Sequence, residues 1–213
     1  MRVAELWRFP VKSMAGERLS RAEVGTAGVA GDRLVVVRDG AGRILTARQH
    51  PLLLGHRATL STSGEPLVDG RPWDSPEVAA DVRSAAGPGA HLERADVADR
   101  FDVLPLLVAT DGALEAFGHD SRRLRPNLVV SGVPGLAERD WPGRRLRIGD
   151  AVIGALKLRR RCIMTTYDPE TLEQDVSVLR GIQRDFGGLL ALDCFVDRGA
   201  TIAVGDSVEL VDS

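Results

Sequence analysis

The stretch Arg159-Arg160-Arg161-Cys162-Ile163-Met164-Thr165-Thr166 places one thiol behind three guanidinium groups and ahead of two hydroxyls. Nearby positive charge favours ionised sulfur, and the thiolate is the form that ligates soft metals. The plain alternative is a small buried hydrophobe, the usual state of a free cysteine, with the arginines on a solvated face. Other residues suited to an anion lie far away in the chain. Lys12 and Ser13 follow Pro10 as a phosphate or oxyanion contact, although such a pair in a loop is usually only solvated. Arg33 and Arg48 flank a predicted hairpin, and Arg122 to Arg125 form a second basic cluster. Thr110 sits where a helix begins, and backbone N–H groups at a helix start favour negative charge.

The elements that must position these groups are short strands. The apolar run Ala151 to Leu158 predicts a strand that opens into a loop at Cys162, with Asp168-Pro169 as the next turn. Alternation over Val3 to Phe9 predicts a strand ended by Pro10, which presents Lys12 and Ser13 at its end. Leu34 to Val37 and Arg43 to Arg48 pair around Asp39-Gly40-Ala41-Gly42, so Arg33 and Arg48 share the open end of the hairpin and can face one anion. The weaker alternative for each is a surface carboxylate partner. His56 to Leu60 and Pro66 to Val68 predict another pair, and Ser75-Pro76 starts a helix through about Ala85.

Further on, Phe101 to Ala109 predicts a strand leading into a helix capped by Thr110 and ended by Gly118. Leu128 to Val130 predicts a strand, Val176 to Phe186 a helix, and Leu190 to Val196 a strand that turns Cys194 into the core with Leu192. Leu146 to Val152 and Ile202 to Val208 share a strand broken by Gly-Asp, as at hairpins or corners of a small barrel. The tally of about ten strands and three helices predicts a mainly β fold with a few short helices, barrel-like in its second half. A boundary is expected at Gly87-Pro88-Gly89, dividing residues 1–89 from 90–213.

With 213 residues, 44% of them hydrophobic, the chain can bury one good core or two small ones. A net charge of −2 supplies no global attraction to nucleic acid or a membrane surface. Two cysteines in no paired spacing exclude a zinc ribbon, an iron–sulfur cluster and a disulfide framework. The chain opens directly into alternating residues and holds no apolar run long enough for a bilayer, so a reducing cytoplasm is the expected compartment. No phosphate-loop or dinucleotide-binding glycine motif is present.

Phe9-Pro10-Val11-Lys12-Ser13, Gly31-Asp32-Arg33, Thr46-Ala47-Arg48-Gln49-His50-Pro51, Arg125-Pro126-Asn127, Arg161 to Thr171 and Gly205-Asp206-Ser207-Val208 occur in the order seen in MOSC-domain proteins, which the chain resembles over nearly its whole length. The resemblance implies a MOSC N-terminal β domain followed by a MOSC β-barrel. It also implies a molybdenum cofactor (molybdopterin) protein similar to the mitochondrial amidoxime-reducing component and its bacterial relatives. Carried over residue by residue, it makes Cys162 the catalytic molybdenum ligand. Lys12, Ser13, Arg33, Thr110, Arg125 and Asn127 then surround the pterin and its phosphate, and Arg48 and Arg161 join them as neighbouring cations.

The implied activity is a molybdenum-dependent reductase of small N-hydroxylated compounds. It would be supplied with electrons by a separate flavin or iron–sulfur reductase. The alternatives are a sulfur carrier using a Cys162 persulfide, a pyridoxal phosphate site, and a cofactor-binding module without turnover. Two departures stand out. Leu172 replaces a glycine in Asp168-Pro169-Glu170-Thr171-Leu172, where a differently shaped loop is expected. Arg159 and Arg160 replace smaller residues and are expected to narrow or recharge the pocket.

Overall fold

The computed structural model describes residues 1–212. One eight-stranded sheet organises them, in the order Val208–Val211, Arg145–Ile148, Ala151–Arg160, Leu189–Arg198, Leu106–Thr110, Leu128–Ser131, Arg2–Arg8 and Glu17–Leu19. All pairs are antiparallel except Leu106–Thr110 with Leu128–Ser131, whose crossover contains the helix Asp111–Phe117. A parallel pair needs such a connection, whereas antiparallel neighbours need only a turn. The sheet is not closed by a ladder, so the expected barrel is an open one. The Arg2–Arg8 strand, next to one edge, reaches the opposite edge at a single bridge between Arg2 and Ser207, supported by Val208 N donating to Met1 O at 2.9 Å. Apolar side chains alternate onto its inner face, and Leu6, Val108, Leu128, Leu146, Ile153, Leu192 and Cys194 fill that core.

Three small sheets of three strands complete the β structure. A second core gathers Val11, Met14, Val35, Val37, Leu53, Val68, Val78 and Val82 beneath the helix Pro76–Ala86, which Ser75 caps by accepting from Val78 N. A third cluster joins the helices Asp111–Phe117 and Val176–Phe186 through Phe117, Ile182 and Phe186. Sheet pairing crosses the Gly87-Pro88-Gly89 cluster in both directions. His91–Arg94 pairs with Val35–Arg38, while Arg2–Arg8 pairs with Leu128–Ser131. Among the described residues no helix is long and apolar enough to cross a membrane.

Two expected strands are shorter than their sequences suggest. The Phe101–Ala109 run forms a ladder only from Leu106, because Pro105 has no N–H to donate to it. The return strand of the first hairpin is only Ile44–Leu45; the chain then turns, with Gln49 N and His50 N both donating to Thr46 O at 3.0 Å. A fourth α-helix, Val97–Arg100, has no apolar face and gives no periodic signal. The two Gly-Asp segments differ in use. Gly149-Asp150 closes a hairpin, whereas Gly205-Asp206 carries the chain from one sheet to another.

Candidate functional site

Cys162 lies just beyond Arg160, the last residue of the Ala151–Arg160 strand, and caps the short turn Ile163–Thr166. Its carbonyl accepts from Thr165 N at 3.0 Å and from Thr165 Oγ1 at 2.9 Å, which fixes the backbone and leaves the half-buried sulfur to the cavity. Arg48 lines the same cavity: burial works against its charge, but Cys162 and Asp102 nearby hold its guanidinium above the usual range. Cys194, by contrast, is fully buried, and burial pushes its thiol far up, with the Asp193 charge adding to the shift.

The cavity holds about 90 Å³ and draws its walls from segments far apart in the chain. Lys12 and Ser13 come from the loop after the first strand, and Arg33 from the turn before the Val35–Arg38 strand. Arg48 comes from the turn after Ile44–Leu45, and Arg123, Arg125 and Asn127 precede the Leu128–Ser131 strand. Arg159, Arg160, Arg161 and Cys162 complete the rim. Eight cationic side chains therefore line it against two carboxylates, Asp102 and Asp193. A cleft so lined concentrates anions.

Backbone strain gathers at the same place. Ser13, Arg33 and Arg125 have φ of +73°, +51° and +57°, and all three line the cavity. Left-handed non-glycine residues cost about 1–2 kcal/mol each, so their surroundings must hold them there. For Arg33 and Arg125 the support is visible: Arg33 N donates to Phe9 O at 2.8 Å, and the Arg125 guanidinium lies 4.2 Å from the centre of the Phe9 ring.

The cations are unequally compensated. Arg33 pairs with the fully buried Asp32, whose Oδ1 also accepts from Phe9 N at 2.6 Å. Lys12 Nζ lies 3.1 Å from Asp102, which Arg48 also contacts; Arg159 pairs with Asp193 at 2.9 Å. Burial works to raise the Asp102 carboxyl, but the charges of Lys12 and Arg48 outweigh it and hold it below the usual range. Among the described residues no carboxylate pairs with Arg125, Arg160 or Arg161. Burial, with the Arg33 charge adding, pulls Arg125 down to about 9; burial and Arg159 pull Arg161 down to about 10. Arg161 donates to Leu124 O at 2.8 Å, yet its buried Nε has no partner. A buried unmatched donor costs about 1–3 kcal/mol, which an acceptor in the cavity relieves.

Of the expected residues, Lys12, Ser13, Arg33, Arg48, Arg125, Asn127, Arg161 and Cys162 are brought together. Asn127 is chiefly a staple: its side-chain oxygen accepts from Leu107 N at 3.2 Å and its amide donates to Trp7 O at 3.4 Å. Thr110 is not brought to the cavity. It stands three residues beyond Leu107, about 10 Å along the strand, where its hydroxyl accepts from Ala113 N and donates to Glu138. At Leu172 the backbone keeps φ +60°, the left-handed region a glycine adopts freely, so the leucine is strained there. Sequence reasoning missed Phe101 and Asp102, which face the cavity from what reads as a strand, and Asp193. For Asp193 the signal is a lone carboxylate among the apolar residues of Leu189–Arg198.

No group of three or more His, Cys, Asp or Glu side chains converges among the described residues. A metal at Cys162 therefore needs most of its donors from a bound molecule. Lys12, Arg48, Arg125 and Arg161 suit the anionic end of such a molecule.

Residues 1–98 match the MOSC N-terminal beta barrel domain, and residues 108–209 match the MOSC domain. Human mitochondrial amidoxime-reducing component 1 is 28% identical over 229 residues, spanning 79% of this chain and 67% of that protein. The mouse protein of the same name is 27% identical over 227 residues, spanning 79% and 66%. The chain thus spans about two thirds of the length of these relatives. The crystal structure of the YUAD protein from Bacillus subtilis superposes with a TM-score of 0.51 at 14% identity, covering 100% of this chain and 96% of that one, a likeness of fold.

Proposed function

The chain belongs to the MOSC-domain proteins, and on that premise we propose that it binds molybdenum cofactor and uses it to reduce small N-hydroxylated compounds. The observation that carries this reading is Cys162 at the rim of a cavity where Arg125 and Arg161 hold charges without a carboxylate partner. The likeness to amidoxime-reducing components supports it. Bound here, the molybdenum of the cofactor would supply two-electron oxygen-atom transfer.

The protein's own residues hold and orient. Cys162 Sγ is the one thiol among the described residues lining the cavity, suited as a thiolate to molybdenum where the hydroxyls nearby are not. Lys12, Arg48 and Arg125 offer charge-assisted hydrogen bonds to a phosphate, and Ser13 a hydroxyl. Arg161 Nε donates to an acceptor deep in the cavity. Arg160, exposed at the rim, favours neutral or anionic substrates over cationic ones. Electrons would come from a separate flavin or iron–sulfur protein.

Metal and pterin analysis of protein from a cofactor-competent host tests the reading, followed by turnover with a chemical electron donor. Bound molybdenum and pterin, with reduction of amidoximes to amidines, are the expected results. Protein that carries neither, yet takes a persulfide on Cys162 from a desulfurase, overturns the proposal in favour of sulfur transfer.

A further inference from the structure

The segment 96–105 forms one wall of the cavity through Phe101, Asp102 and Leu104, and none of its apolar side chains is more than partly buried. Its helix Val97–Arg100 buries no residue, and Val97 and Val103 stand 79% and 43% exposed. Polar contacts hold it instead. Lys12 Nζ donates to Asp99 O at 2.8 Å, and Arg38 bonds the Asp99 carboxylate at 2.5 Å. Arg100 Nε donates to Asp32 O at 3.1 Å. The Asp102 carboxylate touches Lys12 at 3.1 Å, Arg48, and Arg159 at 3.7 Å. We propose that residues 96–105 form a displaceable strap whose Asp102 carboxylate stands in for a ligand's anionic group and must leave before that group binds.

Two independent observations carry this inference, which rests on the reading that the cavity takes an anionic cofactor. One is charge. A single carboxylate engages three cations contributed by three separate segments, so a phosphate offered to those cations meets Asp102 first, and the two anions repel each other at one site. The other is space. The cavity's 90 Å³ is below the ~150 Å³ of an engineered cavity that admits benzene, and Phe101, Asp102 and Leu104 of the strap line it. A pterin with its phosphate is several times larger than benzene, so it overfills the cavity as it stands, and the strap is the wall with the fewest buried apolar contacts. Segments with few buried apolar contacts open at the smallest cost, and this one buries none through its helix.

The test titrates inorganic phosphate into the full chain, purified from a host that cannot make molybdopterin, for wild type and Asp102→Asn. Hydrogen exchange at residues 97–104 is followed in the wild type. The expected results are affinity at least tenfold tighter in the variant, and faster strap exchange in wild type as phosphate saturates. Equal or weaker affinity in the variant overturns the proposal by making Asp102 bystander or binding residue. Strap amides that phosphate leaves unchanged overturn it too, whatever the variant does, as does phosphate binding to neither protein. The cofactor reading fails separately, through absence of pterin from wild type made in a competent host.

Discussion

The guanidinium of Arg125 lies 4.2 Å from the centre of the Phe9 ring, whose own backbone carbonyl accepts from Arg33 N. One aromatic residue at the end of the first strand thereby positions two of the cavity's strained arginines. Phe9→Leu keeps most of the volume and removes the π face. It should cost about 1–2 kcal/mol of stability by thermal or urea unfolding, the sum of a modest repacking and a lost cation–π contact. It should also weaken phosphate binding several-fold, and full retention of affinity would show that Arg125 is held by other contacts.

Cys162→Ser should abolish bound molybdenum while leaving the unfolding midpoint nearly unchanged, because a hydroxyl is a harder ligand and the site is half exposed. Cys194→Ser should do the reverse. Its new hydroxyl enters a core position with no exposed surface, at a cost of about 1–3 kcal/mol, while metal content stays at the wild-type level. Metal analysis beside a denaturation curve separates the two, and dependence of the metal on Cys194 would refute the assignment.

Lys12→Ala and Arg125→Ala should each weaken cofactor retention about tenfold or more, the equivalent of one charge-assisted hydrogen bond of ~1.5–3 kcal/mol. Arg48→Ala should do less. Its side chain is 38% exposed against 11% for Lys12, so solvent screens it more strongly. Pterin content after gel filtration measures all three, and equal retention in the Lys12 and Arg125 variants would place the phosphate elsewhere.

Asp102 gives a pH dependence with a definite sign. Its folded pKa lies below the ordinary value of 3.8, so its stabilising contribution is fully present above that value and is lost as pH falls through the folded pKa. Asp102→Asn should therefore destabilise the ligand-free protein by a constant amount from pH 5 to pH 7. The gap from wild type should narrow below about pH 4. Urea unfolding across that range is the measurement; a gap that widens on acidification would mean that Asp102 is not held by its cations.

The local signals of the sequence determine a good deal by themselves. Pro10 ends the first strand, Ser75 and Thr110 cap helices, Gly118 stops one, and alternation buries Cys194, because each depends on backbone sterics or on a hydrogen bond within a few residues. The order of short motifs, from Lys12-Ser13 to Arg161-Cys162, also marks the family, and most of those residues meet in one cavity. Tertiary structure alone decides which cations find partners. Asp102 reaches Lys12 and Arg48 from 90 and 54 positions away, and Asp193 reaches Arg159 across paired strands. Thr110 reads as an anion site by its helix cap, yet the direction of its strand carries it away from Leu107 and the cavity. Charge pairing and burial act through space, so no pattern along the chain distinguishes the matched arginines from Arg125 and Arg161, which fold into the site without a carboxylate.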